Sequence, residues 1–358
     1  AWAQEGPVIR LEVGQPDRIP PRHILQAMAD SVLAGETGYT PNAGIPELRE
    51  ACAAKLGRVN RIPVDPDQVL ITAGSMQGLS AVMLGLTETG DEILVPDPGW
   101  PNYAMAARIA RAIPVTYPLA AEDGYLPDPD RIESAIGDRT RMLVVNSPSN
   151  PLGTVIDGDR MGALAELAER HDLWLVSDEC YDQIVFSGEV APSAAATHPD
   201  RVVSVHSFSK TYAMTGLRVA YVSGPEAVVA TLTKMQEALV ACVNGPAQKA
   251  AVAALEGPQD FIADMRDTYR ARRDRAVTTA DRLGLPHLHP EGAFYLWLPL
   301  GRRIGDPMGF CRRLVTEQGV AVAPGSTFGR QGEGAVRVSL AAAEPDITEG
   351  LDRIARVL

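Results

Sequence analysis

The sequence predicts an α/β fold: a large domain with a mainly parallel seven-stranded sheet, joined to a smaller α+β domain. Three observations predict it. First, short apolar runs at 68–72, 92–95, 114–117, 141–145, 173–177, 202–206 and 219–222 alternate with helix-like stretches such as 78–86 and 161–171. Parallel strands need helical crossovers, so such alternation builds a mainly parallel sheet. Second, the pattern changes after about residue 257: a long charged helix at 259–283 leads to Gly292-Ala-Phe-Tyr-Leu-Trp297, a helix at 310–318, strands at 320–323 and 336–340, and a closing helix. Third, a chain of 358 residues, 46% of them apolar, is long enough for two cores. The expected division is a large domain at 35–257 and a small domain made of 1–34 and 258–358.

Composition removes several classes of function. A net charge of −12 argues against a nucleic-acid-binding surface. No apolar stretch reaches the roughly 18 uncharged residues of a transmembrane helix. Cys52, Cys180, Cys242 and Cys311 are widely spaced, with no C-x-x-C pair. That is neither a disulfide framework nor a zinc site, and it suits a reducing, cytoplasmic compartment. The first residue is Ala1 rather than Met, which leaves a preceding targeting segment open.

Ligand sites of open α/β sheets collect outside the carboxyl ends of the strands, so those ends are read in order. The first is followed by Ala73-Gly74-Ser75-Met76-Gln77-Gly78, which opens a helix. Backbone N–H groups there form a ready phosphate cradle, although Gly-Ser turns before helices are common. The second is followed by Pro96-Asp-Pro-Gly-Trp100-Pro-Asn-Tyr103. Trp100 can wall an aromatic ligand or plug the loop into the core. After the fourth, Asn146-Ser-Pro-Ser-Asn150-Pro151-Leu-Gly153 is a rigid loop able to aim the Asn150 amide, or plain turn chemistry. After the fifth comes Ser177-Asp178-Glu179-Cys-Tyr181. A carboxylate at the end of a buried strand demands a partner, unless it caps the next helix.

The sixth end is the most informative. The chain has only four lysines, and Lys210 closes the run Val203-Ser-Val-His-Ser-Phe-Ser-Lys210, eight residues before Arg218. Burial and a neighbouring cation both lower an amine's pKa, which makes Lys210 a candidate Schiff-base former. The plainer reading is a solvated surface lysine.

Together these segments resemble the pyridoxal-phosphate-dependent aminotransferases of classes I and II, of fold type I. The resemblance runs from Leu11-Glu-Val-Gly14-Gln-Pro-Asp17 to Val336-Arg337-Val-Ser339. Its most specific pieces are Ser207-Phe-Ser-Lys210 with Arg218, Asn150-Pro151-x-Gly153 and Ser177-Asp178-Glu179-x-Tyr181.

The resemblance implies the cofactor pyridoxal 5′-phosphate, covalently held by Lys210, whose freed amine then shuttles a proton at the substrate α-carbon. It implies that Asp178 pairs with the cofactor's ring nitrogen, that Tyr181 and Asn150 bond its phenolic oxygen, and that Trp100 stacks on its ring. It puts the phosphate on the N–H groups of Gly74, Ser75 and Met76, with Ser207, Ser209 and Arg218 around it. Arg337 and Gly14 take the substrate α-carboxylate, with Trp100 and Asn150 beside it, and Asn150-Pro151 is cis. Tyr39 matches a tyrosine that reaches the neighbouring subunit's phosphate, which implies a homodimer. The implied reaction exchanges an amino group between an L-amino acid and a 2-oxo acid by a ping-pong mechanism.

This chain departs from the usual pattern at Leu152, where a threonine is common, and at Gly99, where an aromatic is common. The stretch 236–246, Gln-Glu-Ala-Leu-Val-Ala-Cys-Val-Asn-Gly-Pro, lacks the arginine that dicarboxylate-specific members carry in the corresponding segment. A preference for neutral or aromatic amino acids is expected from that. Carbon–sulfur lyases and aminocyclopropane-carboxylate-synthase-like enzymes share nearly all these residues and form the alternative reading. An effector-sensing regulator would add a basic helix-turn-helix module, which is not found. A nicotinamide dehydrogenase would show G-x-G-x-x-G after its first strand, and it is absent there.

Overall fold

A computed structural model describes residues 8–358; the first seven residues of the expected small domain lie outside the described part. All seven expected strands join one sheet, in the order Val69–Thr72, Ala220–Ser223, Val202–Ser207, Trp174–Asp178, Thr140–Asn146, Glu92–Asp97, Ile113–Pro118. Ala220–Ser223 runs antiparallel to both neighbours, and the other pairs are parallel.

Helices cover both faces, so side chains of either parity along a strand are buried. Val69, Ile71, Leu94, Leu143, Val145 and Leu175 enter the core on one face. Leu70, Ile93, Val95, Met142, Val144 and Val176 enter the core on the other, against the helices Ser75–Leu86, Asn102–Ile109 and Glu226–Leu239. This explains why the strands read as apolar runs rather than as alternating patterns.

A third core surrounds an antiparallel sheet of order Ala323–Pro324, Ala335–Ser339, Tyr295–Pro299. Leu296, Leu298, Val336 and Val338 pack there against the helices Asp260–Leu283, Pro307–Gln318 and Glu344–Arg356. The single strand expected at 320–323 is two short ones. Val320–Ala321 pairs in parallel with Ile9–Arg10, while Ala323–Pro324 pairs with Ala335–Ser339.

Helix Arg22–Leu33 packs on helix Gly245–Glu256; its Ile24 is buried in the core of the large sheet, and Met28, one turn on, is half-buried against that core. Leu11, by contrast, lies in the third core.

Candidate active site

The strand ends, together with the antiparallel sheet, enclose a cavity of about 490 Å³. Lys210 lies in a four-residue helical segment, Phe208–Thr211, that starts directly at the end of its strand. The Ser207 hydroxyl caps this turn by accepting the Ser209 N–H at 3.1 Å. The amine donates to the Gly14 carbonyl at 2.5 Å. Burial pushes Lys210 down from 10.5 to about 8; Arg337 and Arg218 act in the same direction, while Cys180 opposes them.

Asp178 ends its strand buried. Its carboxylate accepts the Tyr103 hydroxyl at 2.6 Å and the Cys180 N–H at 3.2 Å. Burial raises its pKa, and these bonds hold it down against that rise. Asn146, at the end of the adjacent strand, donates to the Asp178 carbonyl at 2.9 Å and accepts the Asn150 N–H at 2.8 Å. The two strand ends and the Asn150 loop are thereby tied together, with Asn150-Pro151 cis.

At the other side, Arg218 stands in the left-handed region at φ 53° and donates to the Thr215 carbonyl at 2.8 Å. A Cβ on Gly74 would lie 2.1 Å from Arg218 Nη2, so only glycine lets the guanidinium approach the N-terminus of helix Ser75–Leu86. A cation against the positive end of a helix is unfavourable unless an anion lies between them.

Arg337 is buried in its strand. It donates to Asn150 Oδ1 at 2.7 Å and to the Glu12 carbonyl at 2.7 Å, while its Nε has no partner among the described residues. The Tyr295 ring lies 4.3 Å from its Cζ and the Phe328 ring 4.9 Å. A solvent-facing arginine, the ordinary reading of its alternation with valines, is not what the structure shows.

The lining also includes the predicted Gly14, Ser75, Met76, Trp100, Tyr181 and Ser209. Two predicted residues lie elsewhere. Ser207 lines a separate small cavity with Lys55 and Asp182, because its hydroxyl is turned to the cap. Tyr39 is 93% exposed and borders a surface hollow with Cys242 and Val243.

The departures have local reasons. Leu152 is buried in the core of the large sheet. A Cβ on Gly99 would meet the Pro96 carbonyl at 2.3 Å, which excludes an aromatic in this backbone. Sequence reasoning missed Tyr103, Asn102, Asn146, Cys180, Thr215 and Tyr295 as lining residues. The signal for Tyr103 was its place three residues after Trp100: it stands in the first turn of helix Asn102–Ile109, with its ring centroid 5.6 Å from that of Trp100.

An open α/β sheet with a part-buried amine at one strand end, a buried carboxylate at the next and an arginine against a helix N-terminus is the arrangement of a pyridoxal-phosphate-dependent enzyme of fold type I. The chain belongs to the aminotransferase class I and II family, whose model matches residues 6–354. It is 38% identical to a probable aspartate/prephenate aminotransferase of Thermus aquaticus, over 98% of this chain and 91% of that one. It superposes on the Thermus thermophilus aspartate aminotransferase with maleate at a TM-score of 0.95, with 37% identity and coverage of 99% and 93%. An aromatic aminotransferase from Pyrococcus horikoshii superposes at 0.94, with 35% identity and coverage of 98% and 95%. The protein is an aminotransferase that depends on pyridoxal phosphate.

The cavity fits that group. Arg218 and the Gly74–Met76 turn suit a phosphate, and Asp178 suits a cationic ring nitrogen. The Lys210 amine, with its lowered pKa, suits an aldehyde.

Proposed function

We propose that Lys210 is the residue that binds the cofactor and then moves the proton at the substrate α-carbon. One observation carries this: among the four lysines, Lys210 alone lines the cavity. Bound pyridoxal phosphate supplies an electron sink for the α-carbanion. Asp178 would set a negative charge beside the ring nitrogen, and the Tyr103 hydroxyl helps hold its pKa down against the rise caused by burial. Arg337 presents its guanidinium to the α-carboxylate, held by Asn150 and Glu12.

The reading extends to the substrate side chain. The cations on the lining are Lys210, Arg218 and Arg337, each already assigned a role. No basic residue occurs in 236–246. Neutral or aromatic amino acids are therefore the proposed donors, in a ping-pong exchange with a 2-oxo acid. The relatives' names include aspartate, and this reading departs from them on the missing cation. A homodimer is proposed from Tyr39, whose exposed ring borders a hollow shared with the exposed Val32 and suits burial against a second copy carrying the other active site. Cytoplasmic location is proposed from the unpaired cysteines, and no helix among the described residues is long and apolar enough to cross a membrane. The proposed domains are those expected from the sequence, with helix Arg22–Leu33 moved to the large one.

The test is a steady-state comparison of aspartate with leucine, methionine and phenylalanine as donors to a 2-oxo acid. Higher kcat/KM for the neutral donors is expected. Aspartate as the far better donor overturns the assignment. Pyruvate released from cysteine without an oxo-acid acceptor would favour the lyase alternative.

A further inference from the structure

We propose that Tyr295 is a positioning residue joining the two walls of the site: its ring sets the Arg337 guanidinium, and its hydroxyl donates to Tyr181, turning the Tyr181 proton toward the cavity. The inference rests on the function proposed above.

Tyr295 is 1% exposed and touches three parts of the site. Its hydroxyl is 2.8 Å from the Tyr181 hydroxyl. Its ring centroid lies 4.3 Å from Arg337 Cζ, within cation–π range. A Cβ on Gly14 would come within 2.7 Å of its hydroxyl, and it is the Gly14 carbonyl that receives the Lys210 amine. The sheet register makes these contacts. Arg337 pairs with Trp297 and Ser339 with Tyr295, so Arg337 and Tyr295 are diagonal neighbours on one face of the antiparallel sheet. Tyr181 comes from the loop after Asp178, in the other wall.

The direction of the tyrosine pair follows from the charges. A phenol has one proton. Arg337 stands 4.3 Å from the Tyr295 ring and the Lys210 amine 6.0 Å from the Tyr181 ring; the nearer and permanent cation favours donation by Tyr295. Tyr181 then accepts, and its own proton is free for an acceptor in the cavity, which the phenolic oxygen of bound pyridoxal phosphate would supply. A stronger donor to that oxygen would draw off charge that otherwise favours a proton on the nitrogen joining Lys210 to the cofactor. Removing the Tyr295 hydroxyl weakens the donor, so the nitrogen keeps its proton to higher pH.

The experiment compares the wild-type holoenzyme with Tyr295→Phe and Tyr295→Leu. The bound cofactor's absorption is titrated against pH, and kcat and KM for a 2-oxo acid are measured separately. In Tyr295→Phe the absorption midpoint should rise by roughly half a pH unit, with KM little changed because the ring remains. In Tyr295→Leu the midpoint should rise similarly and KM should rise about tenfold, because the ring beneath Arg337 is gone. An unchanged midpoint in Tyr295→Phe, or a fall, overturns the inference, since that variant keeps shape and packing. An unchanged KM in a folded Tyr295→Leu overturns the part played by the ring. A wild-type protein with no cofactor band would instead sink the role of Lys210 and leave Tyr295 without one.

Discussion

The site has two walls built by different logic. One is made at the strand ends of the large sheet and the turns that follow them, and carries Gly74, Asn150, Asp178 and Lys210. The other is made by positions within antiparallel strands and carries Arg337 and Tyr295. In the loop wall a functional residue sits where the chain must turn, so glycine, proline and asparagine mark its place. In the strand wall the functional side chain occupies an ordinary period-2 position, and nothing in its spacing separates it from a structural residue. Loops aim groups through local hydrogen bonds, such as those of Asn146. Strands aim them through register.

The largest expected effect concerns the loop wall. A Lys210 amine at about 8 rather than 10.5 is neutral roughly 300-fold more often at pH 7 than an ordinary lysine. The sign is that of a cation disfavoured by burial: the neutral form gains above about pH 8 and is lost as pH falls below it. The rate at which apoprotein forms its bond with pyridoxal phosphate should therefore rise with pH and flatten above about 8. Continued rise to pH 10 would mean that the loop wall does not tune its amine.

The next prediction tests the strand wall. Arg337→Lys keeps the charge but loses the planar fork that reaches Asn150 and Glu12. We expect kcat/KM to fall by roughly 10²-fold, with the cofactor's absorption retained. Loss of the cofactor instead would show that the two walls do not divide the labour as described.

Most of the loop wall was legible in the sequence. Asp178 stood out because a carboxylate after Leu173-Trp-Leu-Val needs a partner, and Lys210 because lysine is scarce. Its partner Tyr103 was not singled out, because contact across two strand ends depends on sheet order, which no local pattern reports. In the strand wall Arg337 was reached only through resemblance, and Tyr295 was only one residue of the run Gly292-Ala-Phe-Tyr-Leu-Trp297. The registers Arg337–Trp297 and Ser339–Tyr295 are facts of pairing between segments about 40 residues apart. The packing of helix Arg22–Leu33 on helix Gly245–Glu256 was not legible for the same reason: the two segments lie more than 200 residues apart.

A third prediction concerns the seam between the walls. Asp97 accepts the N–H groups of Arg330 and Gln331 at 3.1 and 3.0 Å, and Gly99 donates to the Phe328 carbonyl at 2.8 Å. Gly329, at φ 128°, lets this approach occur; a Cβ there would lie 2.1 Å from Asp97 Oδ1. Gly329→Ala should destabilise the protein by about 1–3 kcal/mol in urea unfolding. A change under 0.5 kcal/mol would show that the seam is loose.

The smallest effect is expected at Tyr103. Its hydroxyl favours ionised Asp178, so Tyr103→Phe raises the carboxyl pKa further. The acid limb of the activity profile should move up by roughly half a pH unit. No movement would assign the tuning of Asp178 to the Cys180 N–H instead.

The most direct test of the central claim is to reduce the holoenzyme with borohydride, digest it and locate the cofactor by mass spectrometry. The four candidates are Lys55, Lys210, Lys234 and Lys249. Lys55 is buried in an ion pair with Asp182, and Lys249 pairs with Glu47 on the surface. We predict the label on Lys210 alone. A label on any other lysine, or none on a protein saturated with pyridoxal phosphate, would contradict the reading of the site.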